Sequence, residues 1–175
     1  MKKIVVVLVL ITALSVGVFA QHPSGWGVGV MGQYNLAWDG FGGGGGAALS
    51  LKAPQLPIYW GLNLDIRSHT FGFSVTGDYY IIDNPILSDI NLGWYLGLGG
   101  YVGLAHYSYK STDWNSFRFG ARLPVGIYIL PVKFLEVFLD VAPSLGVGIY
   151  TGDYDDHFHF PEGGLGFDLG VRFWF

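Results

Sequence analysis

The residues best equipped for chemistry lie in "AHYSYKSTDWNS", where His106 and Ser108 sit two apart and Asp113 follows. In extended chain, positions two apart point the same way, so the imidazole and the hydroxyl share a face. A serine beside a histidine that a carboxylate orients is the minimum set for an acyl-transfer nucleophile. The competing reading makes His106 and Ser108 polar positions where a strand leaves an apolar zone. A second cluster, Asp153, Asp155, Asp156, His157, His159 and Glu162, carries oxygen ligands suited to Ca²⁺ and a His-x-His pair suited to transition metals. Its spacing matches no defined metal loop, so a solvated acidic surface loop is expected, with no metal and no cofactor. The run "GFGGGGG" is followed by neither Lys-Ser/Thr nor a helix. It reads as a flexible loop rather than a phosphate cradle.

The elements that must carry these groups are strands. From Leu165 to Phe175, alternate residues are Leu165, Phe167, Leu169, Val171, Phe173 and Phe175, against Gly164, Gly166, Asp168, Gly170, Arg172 and Trp174. One face is apolar and the other mixes glycine with charge, the period-two signature of a strand. The same alternation predicts strands over about 25–38, 47–53, 58–67, 71–81, 90–107, 117–129 and 135–149. With the terminal strand the total is eight. Turns rich in proline, "APQLP", "DNPILSD" and "PVK", fall at one end; the glycine-rich, Asp113 and Asp153 loops fall at the other. Pro124 and Pro143 interrupt predicted strands, and each should mark a bulge or bend because proline offers no ladder N–H.

Composition decides where such strands can live. Of 175 residues, 51% are hydrophobic and 13% charged, with mean hydropathy +0.40, where about 25% charged is usual. The one helical-span pattern, residues 1–20, has Lys2 and Lys3, an apolar run from Ile4, then Val18 and Ala20. That is a cleaved signal peptide, an uncleaved anchor being the alternative because the run is slightly long. Cleavage removes two lysines and takes the net charge from −4 to −6, which argues against nucleic-acid binding. No cysteine is present. Backbone polar groups in hydrocarbon need internal partners, so an apolar chain without spanning helices is expected to close as a barrel over residues 21–175.

The expected fold is therefore all-β, an eight-stranded antiparallel up-and-down transmembrane barrel. Lys52, Asp65, Arg67, Asp78, Arg118, Arg122, Glu136, Asp140, Asp168 and Arg172, five bases and five acids, occupy the register opposite the apolar one. Eight strands enclose a space only just wide enough for side chains. Balanced charges and bulky tyrosines are expected to fill that lumen as a salt-bridge network rather than line a pore. Trp26, Trp38, Tyr79 and Trp174 lie near strand ends, as interfacial aromatics do.

At the terminal strand the sequence meets a known pattern. Leu169, Val171, Phe173 and a final Phe175 resemble the signal read by the bacterial barrel-assembly machinery. With the signal peptide and eight strands, residues 21–175 resemble small outer-membrane barrels of the OmpA transmembrane-domain and OmpX type. The segment "GARLPVGIYILPVKFLEVFLDVAPSLGVG" is similar to small spirochaetal barrels of this kind. The resemblance implies a monomer in the bacterial outer membrane, in contact with its lipid and with the assembly machinery during biogenesis. A structural or surface-interaction role toward an extracellular host or matrix ligand follows, without catalysis. Two alternatives stand beside it. One is a narrow transporter or porin for small or hydrophobic solutes. The other is a lipid-modifying enzyme, because "HYS" resembles the His-x-Ser of lipid A deacylase barrels, although that family's glutamate has no clear match here and its motif lies on a later strand.

Overall fold

The structure, a computed structural model, describes residues 22–38, 43–67, 69–109, 112–152 and 157–175. The predicted signal peptide, 1–20, lies outside the described residues, as do Asp153, Asp155 and Asp156. Nine strands are present among the described residues: β1 (Gly27–Ala37), β2 (Gly43–Lys52), β3 (Tyr59–Arg67), β4 (Thr70–Leu87), β5 (Leu92–Tyr109), β6 (Thr112–Arg122), β7 (Val125–Val132), β8 (Leu135–Gly152) and β9 (His157–Trp174). β6 and β7 are two halves of one stave, since both pair with β5 and both pair with β8. The remaining neighbours pair in chain order, and β1 pairs with β9, so the antiparallel ladder runs full circle in eight staves.

Pro124 divides the β6–β7 stave. Lacking an N–H, it breaks the ladder, yet its carbonyl accepts from Gly97 N at 2.8 Å and Leu123 N donates to Pro143 O at 3.0 Å. The stave is interrupted but stays stitched to both neighbours, and the count of eight holds. Pro143 remains within an unbroken β8, opposite Leu165.

Three expected boundaries are corrected. Only the end of "DNPILSD" is a turn: β4 continues to Leu87 against β5, and the reversal is the short 3₁₀ turn Ser88–Ile90. Asp113 is not on a loop, because β6 begins at Thr112 and pairs Asp113 with Ser108. His157, His159 and Glu162 belong to β9, with β8 pairing to His157. In each case ladder hydrogen bonds override a turn-like composition.

Stave height is uneven. β1, β2 and β3 have 11, 10 and 9 residues, whereas β4, β5, β8 and β9 have 18 each. At a rise of roughly 3.3 Å per residue and a tilt of roughly 40°, the long staves reach about 45 Å, well past an apolar band of about 25 Å. The short ones just match that band.

Outward positions carry Trp26, Val28, Val30, Tyr34 and Leu36 on β1 and its approach, and Leu169 and Phe173 on β9, all well exposed. Inward positions carry the charged and small residues. Trp174 is a correction: it is buried in the lumen rather than placed at the surface with Trp26, Trp38 and Tyr79.

Candidate functional site

The lumen is built in two unlike halves. Its lower half, toward the Ser88–Ile90 turn and both described chain ends, is solid. Arg172 on β9 is 2% exposed and donates from Nη1 to Glu136 Oε1 at 2.7 Å. Its Nε and Nη2 reach Ser50 Oγ on β2 at 3.1 and 2.8 Å. To do so the side chain crosses over β1, which presents glycine there; a Cβ at Gly27 would lie 2.7 Å from Arg172 Cδ. The guanidinium also covers the rings of Phe138 and Tyr59, 4.6 and 4.9 Å from their centroids. Trp174 Nε1 donates to Glu136 Oε2 at 2.7 Å, so Glu136 has a partner on each oxygen.

Into this base comes His22, from the segment that precedes β1. The imidazole is buried, its Nδ1 lies 2.7 Å from Asp83 Oδ2, and its Nε2 lies 3.4 Å from Glu136 Oε1. Its ring is 3.8 Å from that of Tyr128, whose hydroxyl donates to Asp83 Oδ1 at 2.9 Å. Burial works against a charged imidazole here, but the hydrogen bond to Asp83 and the nearby Glu136 carboxylate outweigh it and raise the pKa above the ordinary 6.5. Above His22, Tyr59, Tyr80 and Tyr95 stack face to face at 3.9 and 4.1 Å.

The waist is an ionic cluster. Arg122 donates from Nη2 to Asp168 at 2.9 Å, with Asp78 3.3 Å from Nε and Asp140 3.7 Å from Nη2. Tyr95 OH donates to Asp140 at 2.7 Å and links the cluster to the stack below. Charges in so dry a site hold together only when paired and hydrogen-bonded.

Above the waist the lumen opens. A cavity of about 490 Å³ is lined from every stave, with Arg122, Asp168 and Thr76 at its floor. Arg118 lies 3.7 Å from Glu162, which accepts from Tyr150 OH at 2.8 Å. Nearer the loops, the rings of Tyr107, Trp114 and Tyr150 follow one another at 5.4 and 5.6 Å.

The ten charges expected to form one lumen network separate into distinct places. Asp78, Arg122, Asp140 and Asp168 form the waist; Glu136 and Arg172 belong to the base. Arg118 and Asp65 line the cavity. Lys52 is a correction: its Nζ donates to the carbonyls of Ala53 and Leu56 at 2.7 and 2.8 Å, tying down the β2–β3 turn instead of pairing with an acid. Arg67 ends β3, and its side chain falls outside what is described. In the acidic cluster, Glu162 points into the lumen, so the expectation of a surface position for it is corrected. His159 is half-buried, its ring 6.3 Å from that of Tyr150. Leu169, Val171 and Phe173 fall on the outer face of β9, and Phe175, just past its end, is exposed and exchanges backbone bonds with Trp26 at 2.9 and 3.1 Å.

His106 and Ser108 are exposed on the outer wall of β5. The imidazole Nδ1 lies 2.9 Å from Asn115 Oδ1, across the ladder, while Asp113 faces Ser108. The group holding His106 is thus an amide.

Sequence reasoning missed His22 and Asp83. Asp83 follows a ladder shift between Tyr80 and Ile82, and one extra residue flips every later side chain to the opposite face. Strict alternation from Asp78 therefore points Asp83 outward. The usable signal was a carboxylate sitting in a β-rich, proline-containing stretch. For His22, no periodicity exists to read.

No family model matches the chain, and no curated protein matches it. Among solved structures, it is similar to Neisserial surface protein A (NspA), at 14% identity and TM-score 0.48, over 86% of this chain and 97% of that one. It is also similar to a major outer membrane protein from Thermus thermophilus, at 14% identity and TM-score 0.46, over 86% and 99%.

Proposed function

We propose that the chain is an integral protein of the bacterial outer membrane, a monomer with its apolar wall in lipid, its lumen shut at the waist and base. Its role is structural or surface-interactive, and it carries no catalytic chemistry. A single observation supports this most directly: the exposure pattern is inverted. Leu169, Leu104 and Val30 are 59%, 57% and 56% exposed, while Glu136, Arg172 and Asp168 are 0%, 2% and 4%. Soluble proteins seldom expose so continuous an apolar wall, and almost never bury so many charges. In hydrocarbon both halves of the pattern are favourable, because the wall meets acyl chains and the ladder satisfies the backbone.

Closure rests on the two ionic layers and the tyrosine stack between them. The experiment is to refold the chain in detergent, transfer it to vesicles and record across a planar bilayer. Insertion without conductance is the expected result; a stable, large channel would refute closure. A refolded chain that stays monomeric in detergent-free buffer would refute the membrane reading itself. The non-catalytic reading is tested by incubating the folded barrel with lipid A, where release of an acyl chain would overturn it.

A further inference from the structure

The upper lumen is open because its residues are small, and at two of its glycines that smallness is not imposed by the backbone. In the lower half, a Cβ at Gly126 or Gly93 would run into the rings of Tyr95 and Tyr128. Those glycines make room for large neighbours. On the cavity wall Gly163 and Gly103 are also crowded, by Ser144 O and the Ser74 side chain, but at Gly72 and Gly166 the situation reverses. A Cβ at Gly72 would meet Ala105 Cβ at 3.4 Å, and one at Gly166 would meet Ala142 O at 3.4 Å, both ordinary contacts. Larger residues would fit there, and what they would occupy is the cavity. Its 490 Å³ lies within the range of roughly 300–1,000 Å³ usual for small-ligand sites.

The lining fixes the chemistry of what fits. Asn63 Oδ1 and Tyr101 OH are buried on this wall without a hydrogen-bond partner. Gln33, Ser74, Thr76 and Ser116 add neutral groups that can donate or accept. Carboxylates outnumber guanidiniums among the lining residues, Asp65, Glu162 and Asp168 against Arg118 and Arg122, which disfavours anions. Asp168 is engaged by Arg122 and Glu162 by Arg118 and Tyr150, so neither stands ready for a cation. The aromatic run Tyr107–Trp114–Tyr150 offers flat apolar surface beside those polar groups. A molecule with an apolar face, a rim of hydroxyls and no net charge answers all of these features.

We infer that the upper lumen is a binding site for a neutral pyranose unit, taken either as a free sugar or as the end of a glycan chain. One ring face lies on the Trp114 platform, and the hydroxyls reach Asn63, Tyr101 and the Arg118–Glu162 pair. This goes beyond the structural role proposed above and needs only the folded barrel, so its failure leaves the conductance and insertion results standing.

The test is titration calorimetry on the full mature barrel in a zwitterionic detergent without a sugar headgroup. The probes are the methyl pyranosides of glucose, galactose and mannose, with glucuronate and putrescine as charged comparisons. Saturable binding of at least one neutral pyranoside, tighter than either charged probe, is expected. Gly166→Leu and Gly72→Leu, which fill the cavity from two sides, and Trp114→Ala should each weaken it by about tenfold or more. Only variants that keep the heat-dependent gel shift of the folded barrel are compared. Immobilised oligosaccharides ending in the preferred unit separate the two sources: capture assigns a glycan terminus, and binding of the free sugar alone assigns a small solute. Absence of saturable binding by every neutral pyranoside, preference for putrescine or glucuronate, or full binding by the folded cavity variants would each overturn the inference.

Discussion

Replacing Arg172 with methionine tests whether the buried base holds the barrel together. Methionine preserves much of the stem that packs over Phe138 and Tyr59 but removes all three donors: one to Glu136 at 2.7 Å and two to Ser50 at 3.1 and 2.8 Å. Glu136 then remains fully buried with its charge unmatched. Removing one partner of a buried pair costs about 3–5 kcal/mol. Glu136 keeps the Trp174 N–H at 2.7 Å and the His22 ring at 3.4 Å, so the lower end, about 3 kcal/mol, is expected. Glu136→Gln retains shape and loses charge-assisted bonds, at about 2 kcal/mol. Because each single change strands the other partner, the double variant should cost less than the sum, with a coupling of about 1 kcal/mol or more. Equilibrium urea unfolding in lipid vesicles, followed by tryptophan fluorescence, reads all four proteins. An Arg172→Met cost below about 1 kcal/mol, the level of an exposed pair, would refute the reasoning.

Three other outcomes are expected. Leu169→Arg places a charge on the outer wall and should destabilise the vesicle-bound barrel by about 2–4 kcal/mol, measured by the same unfolding; a neutral result would mean that this face is wet. His22→Ala should lose its effect as pH rises: with the native pKa above 6.5, the stability due to His22 is fully present below that value and fades through the raised one, so unfolding curves of the two proteins should converge in alkali and diverge in mild acid. Gly126→Ala, whose Cβ strikes the Tyr95 ring, should cost about 1–3 kcal/mol, whereas Gly72→Ala, in ordinary contact, should stay within about 0.5 kcal/mol; equal melting shifts would contradict the two-halved lumen.

The circle of staves was readable because alternation is local: the faces of β1, β5, β8 and the stretch of β9 from Gly164 follow from residue parity alone, while the ladder shift between His159 and Glu162 breaks it above. Pro124 was equally plain, since it carries no N–H for the ladder, whereas Pro143, expected to do the same, sits in an unbroken β8. What escaped was decided by partners far along the chain. The stretch Asp83–Leu87 has turn-like composition, and only the opposing residues of β5 make it strand; the shift at Tyr80/Ile82 then reverses its faces. Lys52 has the parity of a lumen charge, but its ammonium donates to carbonyls at its own turn. His22 enters the base from outside every strand, so no pattern could announce it. The cavity was hidden for a different reason, since glycine at Gly126 and at Gly72 looks identical in sequence though one accommodates a ring and the other leaves space.

Gly27 and Gly29 carry a consequence for how the cylinder comes apart. Any circular ladder has one joint where the beginning of the chain meets its finish, here β1 against β9, and backbone bonds alone would make it a natural line of tearing. Because Gly27 leaves room for the stem of Arg172, and Gly29 is the β1 residue between Arg172 and Ser50 in the ladder, the guanidinium reaches Ser50 and the last stave is fastened to the second as well as to the first. Peeling β1 away therefore does not free β9, and the joint should rank among the later parts of the wall to fail.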